Sequence, residues 1–285
     1  MQRNRWTRRE MLSMSGSAGL LAIAMPHRRT DYRGTVLAKN PVGYWRLGDL
    51  QGAPARDETG NHDGTYHGNV TYGQFGAIRG DTDTAIRLDG RNAFAEVAGD
   101  AAFSQPTSGK GLTVEVWMRP DARAFDSFEG DHYVHWLGKG EHGKYEWGFR
   151  FYSKLSDRPN RISAYIWNSS GELGAGAYFQ DEINLREWIH VVACYAPGTK
   201  DDAGAGVSIY KNGVLRGAPD SHPPQPGARY SEFNIVPVHG TAPLRFGTRD
   251  RKSFFMGGLD EIAVYPRVLS ADEISENYRV GSGSV

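Results

Sequence analysis

The chain has 285 residues, a length within the range of one large β-sandwich or barrel. Its 33 lysines and arginines balance 33 aspartates and glutamates, so no overall charge points to nucleic acid, an anionic membrane surface or a polyacid as a partner. One cysteine, Cys194, excludes an intrachain disulfide, and its apolar neighbours in WIHVVACY predict a buried, unreactive thiol.

The first 29 residues have the composition of a signal peptide. Four arginines precede a mildly apolar run from Met11 to Ala24, which is too short to cross a bilayer of about 30 Å as a helix. Ala22-Ile23-Ala24 supplies the small residues of a cleavage site. We therefore expect cleavage near Ala24, no transmembrane segment in the mature chain, and one domain over 30–282.

The segment TRREML (7–12) is similar to a twin-arginine export motif, with methionine where an aromatic residue is commoner. Proteins that use this route fold before export, and a chain without disulfides suits it. We expect an exported protein that is periplasmic, attached to the cell surface or secreted. An ordinary amphipathic leader or a helix on a lipid surface is the alternative.

Beyond residue 30, short strand-like runs are separated by turn residues about every 8 to 15 positions, which is typical of a sandwich or jelly roll. Asp89-Gly90 is a turn between two predicted strands, and Asn212-Gly213 is a strong hairpin signal. A single short helix is predicted over 270–278, beginning at Ser270. The predicted extended segments are 41–47, 85–90, 93–99, 112–120, 147–152, 161–167, 188–196, 207–217, 243–248 and 258–269.

The strand LTVEVWMRP (112–120) alternates, with apolar residues on one face and Thr113, Glu115 and Trp117 on the other. Two long segments, 121–146 and 218–237, are predicted to be loops. The first is polar and aromatic and the second is rich in proline. Loops of this length on a sandwich often carry function.

Five segments of the chain, in order, resemble motifs of the LamG-like jelly-roll family within the concanavalin A-like lectin/glucanase superfamily. The resemblance covers about 31–280 and implies an all-β fold, a two-sheet antiparallel jelly-roll sandwich with one short C-terminal helix. It implies no single activity, because this fold hosts lectins, hydrolases, lyases and adhesion modules. The segments are YWRLGD (44–49), DETGNHDGTYHG (57–68), TVEVWMRP (113–120), WIHVVACY with SIYKNG (188–195, 208–213) and GGLDEIAVYPRVLSADEI (257–274).

No catalytic residues are predicted. A retaining glycosidase needs two carboxylates about 5 to 5.5 Å apart, and no strand carries carboxylates with the Glu-x-Asp-x-x-Glu spacing of the superfamily's hydrolases. Glu115 is the single carboxylate of its strand. Asp260 and Glu261 are adjacent, so a regular strand would point them to opposite faces.

Four residues supply the side-chain types of a polysaccharide lyase: His132, Tyr133, His135 and Arg150. They do not resemble lyase strand motifs. The spacing of the histidines also argues against a zinc site, and His190 is predicted to be a structural hydrogen-bonding residue. An enzyme is therefore the less favoured interpretation.

The acidic turn DETGNHDG (57–64) is rich in oxygen ligands, but its spacing does not fit an EF-hand loop. The resemblance implies a structural calcium ion that joins this turn to the last strand, with Asp57, Asn61 and Asp260 as ligands. The alternative is a turn in which Asp57 accepts hydrogen bonds from its own backbone and Asn61 adopts a left-handed conformation.

The preferred functional hypothesis is a non-catalytic carbohydrate-binding or adhesion module, with a polysaccharide or cell-surface glycan as partner. Sugar rings stack on flat aromatic faces, and the aromatic segment after residue 120 offers Tyr133, Trp136 and Trp147 as ligand-binding residues. Trp136 is expected to be an exposed platform, whereas core packing is the alternative for Trp147. A glycoside hydrolase or polysaccharide lyase of the same fold is the second hypothesis, and a structural or protein-interaction domain of the cell envelope is the third.

Overall fold

The computed structural model describes residues 31–104, 109–127, 129–141, 144–167, 174–198, 206–217 and 240–284. The predicted signal peptide and the predicted proline-rich loop at 218–237 lie outside these residues. In the part of the chain that is described, neither helix is long and apolar enough to cross a membrane.

Strands are the main regular secondary structure of the described residues. Two α-helices lie near the ends of the domain, α1 at Tyr32–Leu37 and α2 at Ala271–Ser282. The strands are β1 (Gly43–Trp45), β2 (Gly64–His67), β3 (Thr71–Phe75), β4 (Thr84–Asp89), β5 (Phe94–Val97), β6 (Leu112–Pro120), β7 (Tyr133–Glu141), β8 (Lys144–Tyr152), β9 (Ile162–Trp167), β10 (Gly174–Phe179), β11 (Ile189–Ala196), β12 (Gly206–Lys211), β13 (Val214–Gly217), β14 (Leu244–Phe246) and β15 (Met256–Tyr265).

The strands form two antiparallel sheets. The first sheet has the order β13-β12-β11-β6-β15-β4-β3, and β1 also pairs with β15. The second sheet has the order β10-β9-β8-β7-β14-β5-β2. This arrangement confirms the predicted all-β jelly-roll sandwich with one short helix near its C-terminal end.

The hydrophobic core lies between the sheets. Val116 and Met118 of β6 and Phe149 and Phe151 of β8 all point into it and are almost fully buried. A second cluster lies on the opposite face of the first sheet, where Trp117 packs under the two helices. The predicted alternation of β6 is therefore confirmed, since its two faces belong to two different cores.

The hairpin predicted at Asn212-Gly213 joins β12 to β13, and both residues have positive φ, 52° and 76°, as a two-residue hairpin turn requires. The turn at Asp89-Gly90 does not form a hairpin. It separates two predicted strands, but β4 lies in the first sheet and β5 in the second. The chain crosses from one sheet to the other at this point.

The prediction of one loop over 121–146 is wrong because β7 occupies its second half. Gly138 and Gly140 interrupt the run, and β-bulges shift its register against β8 at two places. These irregularities hide the period of two from which strands are predicted.

Candidate functional site

The outer face of the second sheet carries a cluster of arginine and aromatic side chains. On β7, β8 and β9, alternate residues such as Val134, Phe149 and Ile166 point into the core, so the residues between them point outwards. We call this cluster the arginine–aromatic face; it consists of Tyr133, His135, Tyr145, Arg150, Tyr165, Trp167 and Arg249.

Arg150 lies at the centre of this face. The central carbon of its guanidinium is 4.5 Å from the ring centre of Tyr133, 4.7 Å from that of Tyr165 and 5.2 Å from that of Trp167. These distances are typical of cation–π contacts. Arg150 is half-buried, and its Nε donates a hydrogen bond to Nε2 of the neutral His135.

Arg249 lies beside it and is almost fully buried. Its guanidinium carbon is 4.0 Å from the Tyr145 ring centre and 4.8 Å from that of Trp167. Its Nη2 is 2.9 Å from Asp250 Oδ2 and 3.9 Å from Glu129 Oε2, so its charge is balanced within the protein.

His135 connects the two arginines. Its Nε2 accepts a hydrogen bond from Arg249 Nη1 at 2.8 Å and one from Arg150 Nε at 3.2 Å, and its Nδ1 lies 2.8 Å from Glu129 Oε2. Burial, together with the nearby charges of Arg249 and Arg150, holds the pKa of His135 well below its usual value. The imidazole is therefore neutral near pH 7, and its lone pair is already occupied.

Two glycines of β10 allow Tyr165 to lie flat on the sheet. A Cβ atom at Gly174 would come within 1.7 Å of the Tyr165 ring, and one at Gly176 within 2.5 Å. Only glycine leaves room for the ring at these two positions. Tyr165 is half-buried, as are Tyr133 and Tyr145, so the face keeps aromatic surface in contact with solvent.

A cavity of about 380 Å³ opens next to this face, at one end of the sandwich. Its wall is mainly apolar and includes Phe125, Phe151 and Phe254. Ser253 belongs to the wall and also accepts a hydrogen bond from the backbone N–H of His135 at 3.0 Å. The volume is at the lower end of the range for small-ligand pockets.

The structure separates the three aromatic residues that the sequence predicts as ligand contacts. Tyr133 belongs to the arginine–aromatic face. The expectation that Trp136 is an exposed platform is wrong, because Trp136 is 0% exposed and points into the core from β7. Trp147 is 3% exposed and donates a hydrogen bond to the carbonyl of Phe103, so core packing, the alternative interpretation, is correct for it.

The sequence predicts Tyr133 as a ligand-binding residue, offers His135 and Arg150 only as residue types, and does not identify Tyr165 or Arg249 as part of a site. The alternation within RISAYIW would have placed Tyr165 and Trp167 on one face. The sequence holds no comparable signal for Arg249, because this residue reaches the face from the loop after β14.

The predicted calcium ligands make hydrogen bonds within the protein. Asp57 is buried, and its Oδ1 accepts hydrogen bonds from the N–H groups of Tyr44 and Thr59. Its Oδ2 accepts from the Thr59 hydroxyl and from the N–H groups of Asn61 and His62. No lone pair of this carboxylate remains for a cation.

Burial acts to raise the pKa of Asp57, but hydrogen bonds from Thr59, Tyr44 and Asn61 outweigh it, so the pKa lies below the ordinary value. The Asn61 side chain points to Thr59, whose carbonyl it meets at 3.3 Å. These contacts match one part of the alternative interpretation, a turn closed by Asp57 itself. The other part is wrong, because Asn61 does not have the positive φ of a left-handed conformation.

Asp260, the third predicted ligand, is also buried, and its Oδ2 accepts a hydrogen bond from the N–H of Ala77 at 2.7 Å. Burial and the neighbouring Glu261 raise its pKa well above the usual value. Within the described ranges, no group of three or more histidines, cysteines, aspartates or glutamates is arranged to hold a metal ion. Asp260 Oδ1 is buried and accepts no hydrogen bond from the described residues, so calcium binding at this position stays a prediction.

The fold is similar to those of solved carbohydrate-binding and receptor-binding domains. Domain 4 of AbnA, an extracellular arabinanase from Geobacillus stearothermophilus solved in complex with arabinotriose, matches at 17% identity and a TM-score of 0.54, over 84% of this chain and 98% of that domain. The receptor-binding domain of botulinum neurotoxin C/D mosaic serotype matches at 11% identity and a TM-score of 0.57, over 84% of this chain. The binding domain of botulinum neurotoxin DC in complex with SialylT matches at 12% identity and a TM-score of 0.57, over 83% of this chain.

This chain spans about half the length of the two toxin domains, 51% in each case. At these identities the similarity shows a shared fold. No protein with a curated description matches the sequence. Residues 89–275 match the Laminin_G_3 family. The chain therefore belongs to this family of the concanavalin A-like lectin/glucanases superfamily.

Proposed function

We propose that this protein is an exported, non-catalytic carbohydrate-binding module and that its glycan contacts the arginine–aromatic face. The observation that carries the proposal is a set of half-buried rings beside two guanidinium groups: Tyr133 and Tyr165 lie against Arg150, and Tyr145 lies against Arg249. Aromatic faces stack on the apolar faces of sugar rings, and a guanidinium offers several donors to sugar oxygens.

The geometry of His135 favours binding over catalysis. A general base needs a free lone pair within reach of the substrate, and the Nε2 lone pair of His135 already accepts hydrogen bonds from Arg150 and Arg249. The histidine therefore positions the arginines, and the face presents a rigid set of donors and rings.

Two of the similar structures support a glycan as the partner, because they were solved in complex with arabinotriose and with SialylT. The predicted signal peptide supports export. A polysaccharide outside the cell or a glycan on a cell surface would meet the protein there.

Binding to an array of polysaccharides and cell-surface glycans tests the proposal. We expect at least one glycan to bind, and we expect Tyr165→Ala and Tyr133→Ala to weaken it at least about ten-fold, since stacking on one aromatic ring is lost. Phe75→Ala is the matched control, because Phe75 is 92% exposed and lies on β3 of the first sheet.

Two results would contradict the proposal. One is an array with no bound glycan. The other is equal loss of binding in the Phe75→Ala control, which would mean that contact is not localised to the second sheet. Cleavage of the bound glycan by the purified protein would overturn the non-catalytic role and favour an enzyme of this fold.

A further inference from the structure

We propose that the glycan recognised by this protein carries a carboxylate group and that Arg150 pairs with it. This inference rests on the proposed function and adds the chemical class of the ligand. It follows from the position of Arg150, whose guanidinium forms no direct ion pair with a carboxylate of the described residues. Glu129, the acid beside His135, lies 3.9 Å from Arg249.

Removing a charge from water is unfavourable unless an opposite charge or hydrogen bonds compensate for it. Arg150 is half-buried. Its hydrogen-bonding partner His135 is neutral, and the rings of Tyr133, Tyr165 and Trp167 attract the cation without neutralising it.

Two other arginines, Arg245 and Arg249, are buried and form ion pairs with acidic side chains. Arg245 on β14 pairs with Glu96 at 2.6 Å and with Glu141 at 2.9 Å. Arg249 pairs with Asp250 at 2.9 Å. Each of these arginines is matched by an acid of the protein, whereas Arg150 is surrounded by rings and partly open to solvent.

The shape of the guanidinium favours a carboxylate. Its planar fork can donate two parallel hydrogen bonds to the two oxygens of one carboxylate. His135 accepts the hydrogen of Arg150 Nε, so a ligand would approach the Nη end. The half-buried ring of Tyr165 lies 4.7 Å from the guanidinium carbon and can stack on the sugar that carries the carboxylate.

The experiment compares polyuronates with their carboxyl-reduced forms, which keep the sugar backbone and lose only the charge. Polygalacturonate, alginate and hyaluronan are titrated into the protein by calorimetry, each beside its reduced counterpart and beside dextran sulfate. We expect at least one polyuronate to bind about ten-fold or more tightly than its reduced form, and we expect this difference to shrink as salt is raised.

Arg150→Gln should remove the difference between the acidic and the reduced polymer, and Arg150→Lys should restore only part of it, because lysine keeps the charge without the fork. Arg56→Gln is the matched control for net charge, since Arg56 is exposed. Circular dichroism checks that each variant is folded, and the wild-type comparison of acidic with reduced polymer does not depend on any variant.

Three outcomes would overturn the inference. Equal binding of the acidic and reduced polymers would refute it and leave the proposed function intact. Binding of dextran sulfate without any polyuronate would replace the carboxylate with a sulfate. Loss of the preference in Arg56→Gln as well would show a general effect of charge. If the protein binds no glycan of any kind, the proposed carbohydrate-binding function itself is wrong, and this outcome is distinct from the three above.

Discussion

The carboxylate of Asp57 receives five hydrogen bonds, four of them from within its own turn. The donors within the turn lie at Thr59, Asn61 and His62, and the N–H of Tyr44 completes the set. The single side chain therefore ties the acidic turn to β1. In this arrangement the carboxylate performs the role that the sequence assigned to calcium.

Asp57→Ala should lower the free energy of unfolding by at least about 2 kcal/mol, because several buried N–H groups lose their acceptor together. The loss should be the same in millimolar calcium and in chelator, and the wild-type melting temperature should not depend on calcium. Thermal melts of both proteins check this, with Asp157→Ala as the exposed control. A calcium-dependent rise in the wild-type melting temperature that Asp260→Asn removes would restore the calcium prediction.

Glu115 is fully buried and accepts hydrogen bonds from Tyr32, His190, Tyr265 and Asn277 at 2.7 to 2.9 Å. These partners come from both helices and from two strands beside β6. The prediction that His190 is a structural hydrogen-bonding residue agrees with this network. The single carboxylate of the strand therefore holds both helices to the first sheet.

Glu115→Gln should lower the free energy of unfolding by about 1 to 3 kcal/mol, because an amide N–H₂ would face buried hydrogen-bond donors in place of a carboxylate oxygen. Urea unfolding measures the loss, and Glu182→Gln is the control, since the Glu182 side chain is 82% exposed. A change as small as that of the control would show that the network does not stabilise the fold.

The stability provided by Glu115 should also depend on pH. Burial acts to raise its pKa, but the hydrogen bonds from His190, Tyr265 and Asn277 outweigh burial, so the folded-state pKa lies below the ordinary value. Stability from a carboxylate with a lowered pKa is present above the unfolded pKa of about 4.3 and is lost as the pH falls through the folded pKa. The difference between wild type and Glu115→Gln should shrink below about pH 4.3.

At the scale of elements, α2 begins with a capping box. The Ser270 hydroxyl accepts a hydrogen bond from the N–H of Glu273, and the Glu273 carboxylate accepts one from the N–H of Ser270. Arg267 donates two further hydrogen bonds to this carboxylate, at 2.6 and 2.8 Å. The start of the helix is thereby fixed to the loop that follows β15.

These contacts, above all those from Arg267, lower the pKa of Glu273 to about 2. A carbon-detected NMR titration of this carboxyl should show a midpoint near that value. Arg267→Gln should move the midpoint up towards the ordinary value, while Arg279→Gln in the last turn of α2 should leave it in place. A midpoint near the ordinary value in the wild type would show that the Arg267 contact does not persist in solution.

The elements differ in how well the sequence predicts them. β6 is predicted by the alternation of apolar and polar residues, and the β12–β13 hairpin is predicted by its Asn-Gly turn. β7 escaped prediction because two bulges and two glycines disturb its period. The arginine–aromatic face could not be assembled from sequence, because it joins β7, β8 and β9 with Arg249 from a loop about 100 residues further along the chain.

At the scale of the whole molecule, the family and its two-sheet architecture were predictable because five motifs occur in a fixed order. The resemblance predicts a calcium ion at the acidic turn, and it could not predict that Asp57 accepts hydrogen bonds there, because these contacts are visible only in three dimensions. Similarity of fold extends to proteins of different function, so the ligand has to be inferred from the side chains on the second sheet.

Export of the whole protein through the twin-arginine route is a prediction of the N-terminal sequence. In a host with a twin-arginine translocase, replacing Arg8 and Arg9 with lysine should keep the full-length chain in the cytoplasm, because the translocase recognises the paired arginines. Fractionation and blotting measure the distribution, with Arg3→Lys and Arg5→Lys as the control pair. Export of the Arg8/Arg9 variant at the control level would exclude this route.

The positions of β14 and β15 also determine when the molecule can fold. β15 separates β6 from β4 in the first sheet and pairs with β1, and β14 separates β7 from β5 in the second. A nascent chain that ends before residue 244 lacks both strands. Each sheet is then divided into two separate groups of strands, and the strand edges that would pair with β14 or β15 are unpaired. Both sheets close only after the last two strands have left the ribosome, so the domain folds late and as one unit.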